Sequence, residues 1–174
     1  GMHSGEKVVM TLRPAPVNTG IVFRRTDLGP VCELRAEPDR VGNTALSTTL
    51  VGETTAFGEV SVAANDVTLT ASNIPVGQFG IFVVSQTEVP AIPAGEGNLC
   101  LAGALGRYNG PGQILPANAM GEFSLALDLT AIPEGPVLVA AQVGETWNFQ
   151  GWYRDNNMLG STANFTDGLE IMFN

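Results

Sequence analysis

Histidine is almost missing from this chain: 174 residues contain one, His3. A metal site built on two imidazoles therefore has no second donor in the protomer, and a lone histidine offers only weak, transient metal binding. Lysine stops at Lys7. Residues 54–174 then carry Arg107 and Arg154 against eleven acids, a net charge of −9, whereas residues 1–53 carry six bases against six acids. So acidic a surface repels nucleic acid and anionic lipid, which excludes a nucleic-acid partner. Cysteine occurs twice, at Cys32 and Cys100. That gives neither a disulfide framework nor zinc-ribbon spacing, and two separate buried thiols are the simpler reading. No apolar run is long enough for a transmembrane helix. No basic start leads into an apolar stretch, so no signal peptide is visible. The opening Gly1-Met2-His3-Ser4-Gly5 reads like the middle of a gene product.

Glycine and proline are plentiful, 21 and 11 residues, and charged residues make up only 14%. With recurrent Thr, Val and Ser, this composition favours many short strands and turns. Alternation carries the pattern. Lys7–Arg13, Ile21–Arg25, Cys32–Ala36 and Leu46–Leu50 read as four strands. Later, Val67, Leu69 and Ala71 share one parity, as do Phe79, Ile81 and Val83, then Phe123, Leu125, Leu127 and Leu129. Trp147, Phe149 and Tyr153 form a core-strand face with Trp152 opposite, and Leu169, Ile171 and Phe173 close the chain. Each run is expected to bury one face. Turn signals at Asn73-Ile74-Pro75, Asn109-Gly110-Pro111-Gly112 and Pro133-Glu134-Gly135-Pro136 separate them, while Gly95–Gly106 fits strand or loop. The expected fold class is all-β: a short strand-rich N-terminal segment, residues 1–53, followed by an antiparallel β-sandwich, residues 54–174.

The first segment carries a specific set of phrases: Gly1-Met2-His3-Ser4-Gly5, Thr11-Leu12-Arg13-Pro14-Ala15-Pro16, Asn18-Thr19-Gly20, Phe23-Arg24-Arg25-Thr26-Asp27 and Thr48-Thr49-Leu50. On these, residues 1–52 resemble the N-terminal part of the UDP-3-O-acyl-N-acetylglucosamine deacetylases of lipid A biosynthesis. The resemblance implies a hydrolase that removes an acetyl group from a UDP-sugar lipid precursor in the cytoplasm. Zinc, held by two histidines and an aspartate, would activate water, with a glutamate as base. It also implies substrate contact by His3, Leu46 and Ser47, the last standing where the family usually has Cys. The simpler reading makes His3 an exposed loop residue and Leu46 an inward-packing one, since a pocket needs walls from several elements. The base and first ligand belong to a Thr-Val-Glu-His motif, and here the corresponding stretch is Glu59-Val60-Ser61-Val62-Ala63-Ala64-Asn65. No catalytic residue, metal ligand or cofactor is therefore expected in this chain, which reads as an inactive, incomplete deacetylase relative.

Residues 60–173 resemble an uncharacterised β module of bacterial secreted or surface proteins. The phrases are Val62-Ala63-Ala64-Asn65-Asp66, Phe79-Gly80-Ile81-Phe82, Gly97-Asn98-Leu99-Cys100-Leu101, Gly106-Arg107-Tyr108-Asn109, Gly144-Glu145-Thr146-Trp147-Asn148-Phe149-Gln150, Trp152-Tyr153-Arg154-Asp155 and Asn164-Phe165-Thr166-Asp167-Gly168-Leu169. This implies an extracellular or surface setting for most of the chain, and a non-catalytic binding or structural role with a glycan or surface partner for 54–174. An exposed aromatic such as Trp152 would stack on sugar, although core or edge packing is the commoner use. Asp155-Asn156-Asn157 and Asp167-Gly168 lack the spacing of a calcium loop and read as polar turns. Asn164-Phe165-Thr166 matches a glycosylation sequon. Arg107 and Arg154 are expected to pair with nearby carboxylates.

Overall fold

Asp66–Ser72 shows how the fold is built: Val67, Leu69 and Ala71 are buried, and Thr68 and Thr70 between them are not. A period of two puts one set into the core and the other toward solvent. The computed structural model describes residues 52–157 and 160–174. The strands expected in 7–50 lie outside the described residues.

The described residues are all-β, with twelve strands. These are β1 Glu53–Glu59, β2 Asp66–Ser72, β3 Phe79–Ser85, β4 Thr87–Ala94, β5 Gly97–Ala102 and β6 Gly106–Arg107. They continue as β7 Leu115–Pro116, β8 Phe123–Ala126, β9 Ile132–Glu134, β10 Val137–Val139, β11 Thr146–Asn157 and β12 Gly160–Met172. One sheet runs β1-β2-β8; a second runs β12-β11-β3-β6, with β7 also on β3. All pairings are antiparallel. The hairpins β4–β5 and β9–β10 stand apart from both.

The core lies between the two sheets. Ala56, Leu69, Phe123 and Leu125 come from the first; Phe82, Val84, Trp147, Phe149, Tyr153 and Leu169 come from the second. Phe82 and Phe123 meet across the interface with ring centroids 5.2 Å apart, in the tilted arrangement aromatic pairs favour. Gly80 permits this approach, because a Cβ there would lie 2.4 Å from the Phe123 ring. The expected faces of β2, β8, β11 and β12 are the buried ones. In β3 the parity is reversed: Phe82 and Val84 enter the core, while Phe79, Ile81 and Val83 face the other way. The run FGIFVVS is apolar on both parities, because both of its faces are partly covered.

The second cover is the β4–β5 hairpin. It lies on the outer face of the larger sheet, with β5 against β12, β11 and β3. Val83, Cys100, Leu101 and Phe165 are buried on that side. The ambiguous Gly95–Gly106 stretch thus contains a true strand. Cys100 is disulfide-bonded, which corrects the reading of unlinked thiols; the only other cysteine, Cys32, lies outside the described residues.

A bulge between Gln150 and Trp152 in the β11–β12 register closes one side of the sandwich. Thr166 and Asp167 occupy it. The Thr54 N–H donates to Asp167 Oδ1 at 2.6 Å, and the Asp167 N–H to the Gly52 carbonyl at 2.9 Å. These bonds tie the start of β1 to the middle of β12. At the other end, the Val62 N–H bonds the Asn174 carbonyl and the Asn174 N–H bonds the Val60 carbonyl.

Candidate functional site

The sandwich positions three polar or aromatic constellations. The first is the β1–β2 connection, where the resemblance would place the Thr-Val-Glu-His motif. Glu59 ends β1 and is exposed, and the Ala64 and Asn65 N–H groups both bond the Ser61 carbonyl. Asn65 takes a positive φ of 47°, and its Oδ1 caps the Leu129 N–H at 2.7 Å. Asparagine tolerates this conformation better than most side chains. The turn supplies a structural clasp to the segment after β8. Apart from Glu59 at its start and the Ser61 hydroxyl, its residues are apolar or amide, so it offers no imidazole.

The second constellation is a buried polar junction. Gln150 is fully buried. Its Oε1 accepts from the Cys100 N–H at 3.0 Å, and its Nε2 donates to the Asn98 and Thr166 carbonyls, each at 2.8 Å. One amide thus satisfies backbone groups of β5 and β12 at once. The Thr166 hydroxyl shares a 2.6 Å hydrogen bond with the Thr54 hydroxyl and accepts from the Gly151 N–H at 2.7 Å. Further along the hairpin, Asp155 is buried and accepts from the Asn156 N–H and from Asn164 Nδ2. Asn164 is itself fully buried, and its Oδ1 accepts from the Phe165 N–H, so the sequon is folded into the protein. Asp155 and Asp167 serve internal hydrogen bonds from within β11 and β12, which corrects their reading as polar turns: they lie in paired strands.

Two tyrosines complete the interior. The hydroxyls of Tyr108 and Tyr153 are buried without a hydrogen-bond partner among the described residues. Burial pushes both phenols above their ordinary range. The charge of Asp128 adds to this for Tyr108, and that of Asp155 for Tyr153. Asp128 moves the other way: hydrogen bonds from the Thr130 hydroxyl and N–H, with a smaller one from Asn65, hold its carboxyl below the usual carboxylate range despite some desolvation.

The third constellation lies on the outer face of the larger sheet. Trp152 is half-buried, and the Arg154 guanidinium sits over its ring, 5.8 Å from the centroid. Phe79 is 52% exposed. Arg107 and Arg154 are exposed, and neither forms an ion pair with a described residue, which corrects the expected carboxylate pairing.

His3, Leu46 and Ser47, the residues implied by resemblance, lie outside the described residues. Among the described residues, no three His, Cys, Asp or Glu side chains converge where a metal could be held. A two-histidine zinc site does not fit the donor set there. No helix among them is long and apolar enough to cross a membrane. Gln150 and Phe79 were not legible as site residues. Nothing in the sequence signals that a hairpin folds over one and stops short of the other.

Residues 1–90 match the family model described as LpxC: UDP-3-O-acyl N-acetylglycosamine deacetylase. The match runs through β1, β2 and β3 into β4, past the change in charge at residue 53. The UDP-3-O-acyl-N-acetylglucosamine deacetylase of Thioalkalivibrio sulfidiphilus is 49% identical over 98 residues, covering 56% of this chain and 30% of that protein. The protein of the same name from Alcanivorax borkumensis is 62% identical over 60 residues, 34% of this chain and 20% of its own length. That of Legionella pneumophila is 70% identical over 50 residues, 29% and 16% respectively. The chain thus spans at most about 30% of the length of these relatives. No solved structure matches.

Proposed function

Since the chain belongs to the UDP-3-O-acyl N-acetylglycosamine deacetylase family through residues 1–90, we propose that it is a family member without deacetylase chemistry, whose sandwich acts as a non-catalytic binding module. The donor count carries this reading. The resemblance calls for two imidazoles, an aspartate and a glutamate base, and the sequence contains His3 alone. The stretch in place of the base and first ligand is a turn that caps a neighbouring backbone N–H. Zinc, in a site that fits it, would supply an activated water and polarise the amide carbonyl. This chain provides no set of residues on which to place such a step. Contact of His3, Leu46 and Ser47 with a UDP-sugar lipid precursor, as binding without turnover, is the alternative that the N-terminal resemblance implies for a cytoplasmic chain.

For the sandwich we infer an extracellular or surface setting and a glycan or surface partner. The likeness of residues 60–173 to secreted β modules supports it. So does the disulfide at Cys100, since such bonds persist in oxidising compartments. The test is metal analysis and turnover on the purified chain, supplied with zinc and UDP-3-O-acyl-N-acetylglucosamine. No stoichiometric zinc and no acetate release are expected. One tightly held zinc per chain, with turnover, overturns the proposal.

A further inference from the structure

Every cation among the described residues lies on one face. Residues 52–174 hold two, Arg107 and Arg154, against twelve carboxylates, counting Glu53. Directly paired residues of an antiparallel sheet share a face. Arg107 pairs with Val83, and Val83 pairs with Gln150. Trp152 and Arg154 have the parity of Gln150, and Trp152 pairs with Ile81. Arg107, Trp152 and Arg154 therefore share the outer face with Phe79 and Ile81. Pro116 joins them through its pairing with Phe79.

The β4–β5 hairpin borders this face. It is fastened to Gln150 by the Cys100 N–H and the Asn98 carbonyl, and to β12 by the Glu96 N–H on the Ala163 carbonyl. That leaves Phe79 exposed and Ile81 and Trp152 half-buried beside it, a partly open apolar floor. From the register, Arg154 sits beside Phe79 and Arg107 beside Val83. They stand four residues and two strand spacings apart, roughly 16 Å. Neither is neutralised by a described carboxylate, although the module is strongly acidic. The Trp152 ring holds Arg154 in place by cation–π attraction and leaves its donors free.

Resting on the non-catalytic reading above, we propose that this face binds an acidic oligosaccharide, with Phe79 and Ile81 against sugar C–H faces and Arg107 and Arg154 on separate carboxylates of the glycan. The span exceeds one sugar ring, so the occupant is a chain. Two well-separated cations in a field of twelve carboxylates match a sparse anion. They do not match the dense phosphates of nucleic acid or an anionic bilayer, which the rest of the surface repels.

Titration calorimetry of the full chain with tetragalacturonate, and with the neutral galactotetraose, tests this, after a screen of uronate- and sialate-bearing glycans. Binding of an acidic probe alone is expected, weakening with salt. It should fall about tenfold in R107A and again in R154A, the loss of one charge-assisted hydrogen bond each. Both arginines are exposed, and an unchanged far-ultraviolet circular dichroism spectrum and urea midpoint would show intact folding. Retention of no acidic glycan, binding indifferent to both substitutions, or preference for phosphatidylglycerol vesicles would overturn the proposal. Zinc content and turnover on the same preparation report separately on the deacetylase reading.

Discussion

Replacing Gln150 with leucine tests how the β4–β5 hairpin is held to the sandwich. The substitution nearly preserves volume and removes both polar atoms. It strands the Cys100 N–H and the Asn98 and Thr166 carbonyls, which now bond the amide at 3.0, 2.8 and 2.8 Å. A buried group left unsatisfied costs about 1–3 kcal/mol. Asn98 is only half-buried and recovers part of its loss from water, and the added apolar burial offsets some of the rest. A net cost of about 3–5 kcal/mol follows. With a urea slope of about 1–3 kcal/mol/M, the midpoint should fall by roughly 2 M. Tryptophan fluorescence reports the transition from both sides of the sheet, with Trp147 in the core and Trp152 on the outer face. Hydrogen exchange at the Cys100 amide should accelerate in parallel. A midpoint within about 0.3 M of the parent, with unchanged Cys100 exchange, would refute this account of the hairpin's attachment.

Gly106→Ala should destabilise by at least about 2 kcal/mol, because a Cβ there would lie 2.0 Å from the Pro133 backbone oxygen, which cannot rotate away; thermal unfolding measures it. Tyr153→Phe removes a buried hydroxyl that has no partner among the described residues, so stability should stay level or rise by about 1 kcal/mol; a loss above about 1 kcal/mol would reveal a bond not accounted for. Both tyrosines of the chain have raised folded-state pKa values. The unfolded phenols lose protons near the ordinary value of 10.0 while the folded ones keep theirs. Their stabilising contribution is therefore full below that pH and is lost as pH rises beyond it. Phenolate absorbance should appear only together with loss of tertiary signal, and a separate titration of either tyrosine in the folded protein would contradict this.

Much of the sandwich was legible because one physical rule governs it. Alternation in Asp66–Ser72, Phe123–Ala126 and Leu169–Met172 marks strands with one face in the core and one in solvent. The rule gave the wrong face in β3, where Phe79, Ile81 and Val83 look as apolar as Phe82 and Val84. Two-sided burial erases the alternation, and only tertiary placement of the β4–β5 hairpin separates the faces. The same placement explains Gln150: a polar residue at an outward parity reads as solvent-facing until another element covers it. Asn164 is the reverse case, a short motif that matches a modification signal and belongs to a buried hydrogen-bond network. The shared face of Arg107 and Arg154 depends on strand register, which sequence spacing does not encode.

Family membership rests on residues 1–90, while the proposed absence of deacetylase chemistry rests on a sequence with one histidine. Zinc stoichiometry, determined on the purified protein after dialysis against the metal and paired with an acetate-release assay, tests that separation most directly. The account expects substoichiometric zinc and no release above the uncatalysed background. A full equivalent of zinc retained through dialysis, with acetate released in proportion to protein, would contradict it.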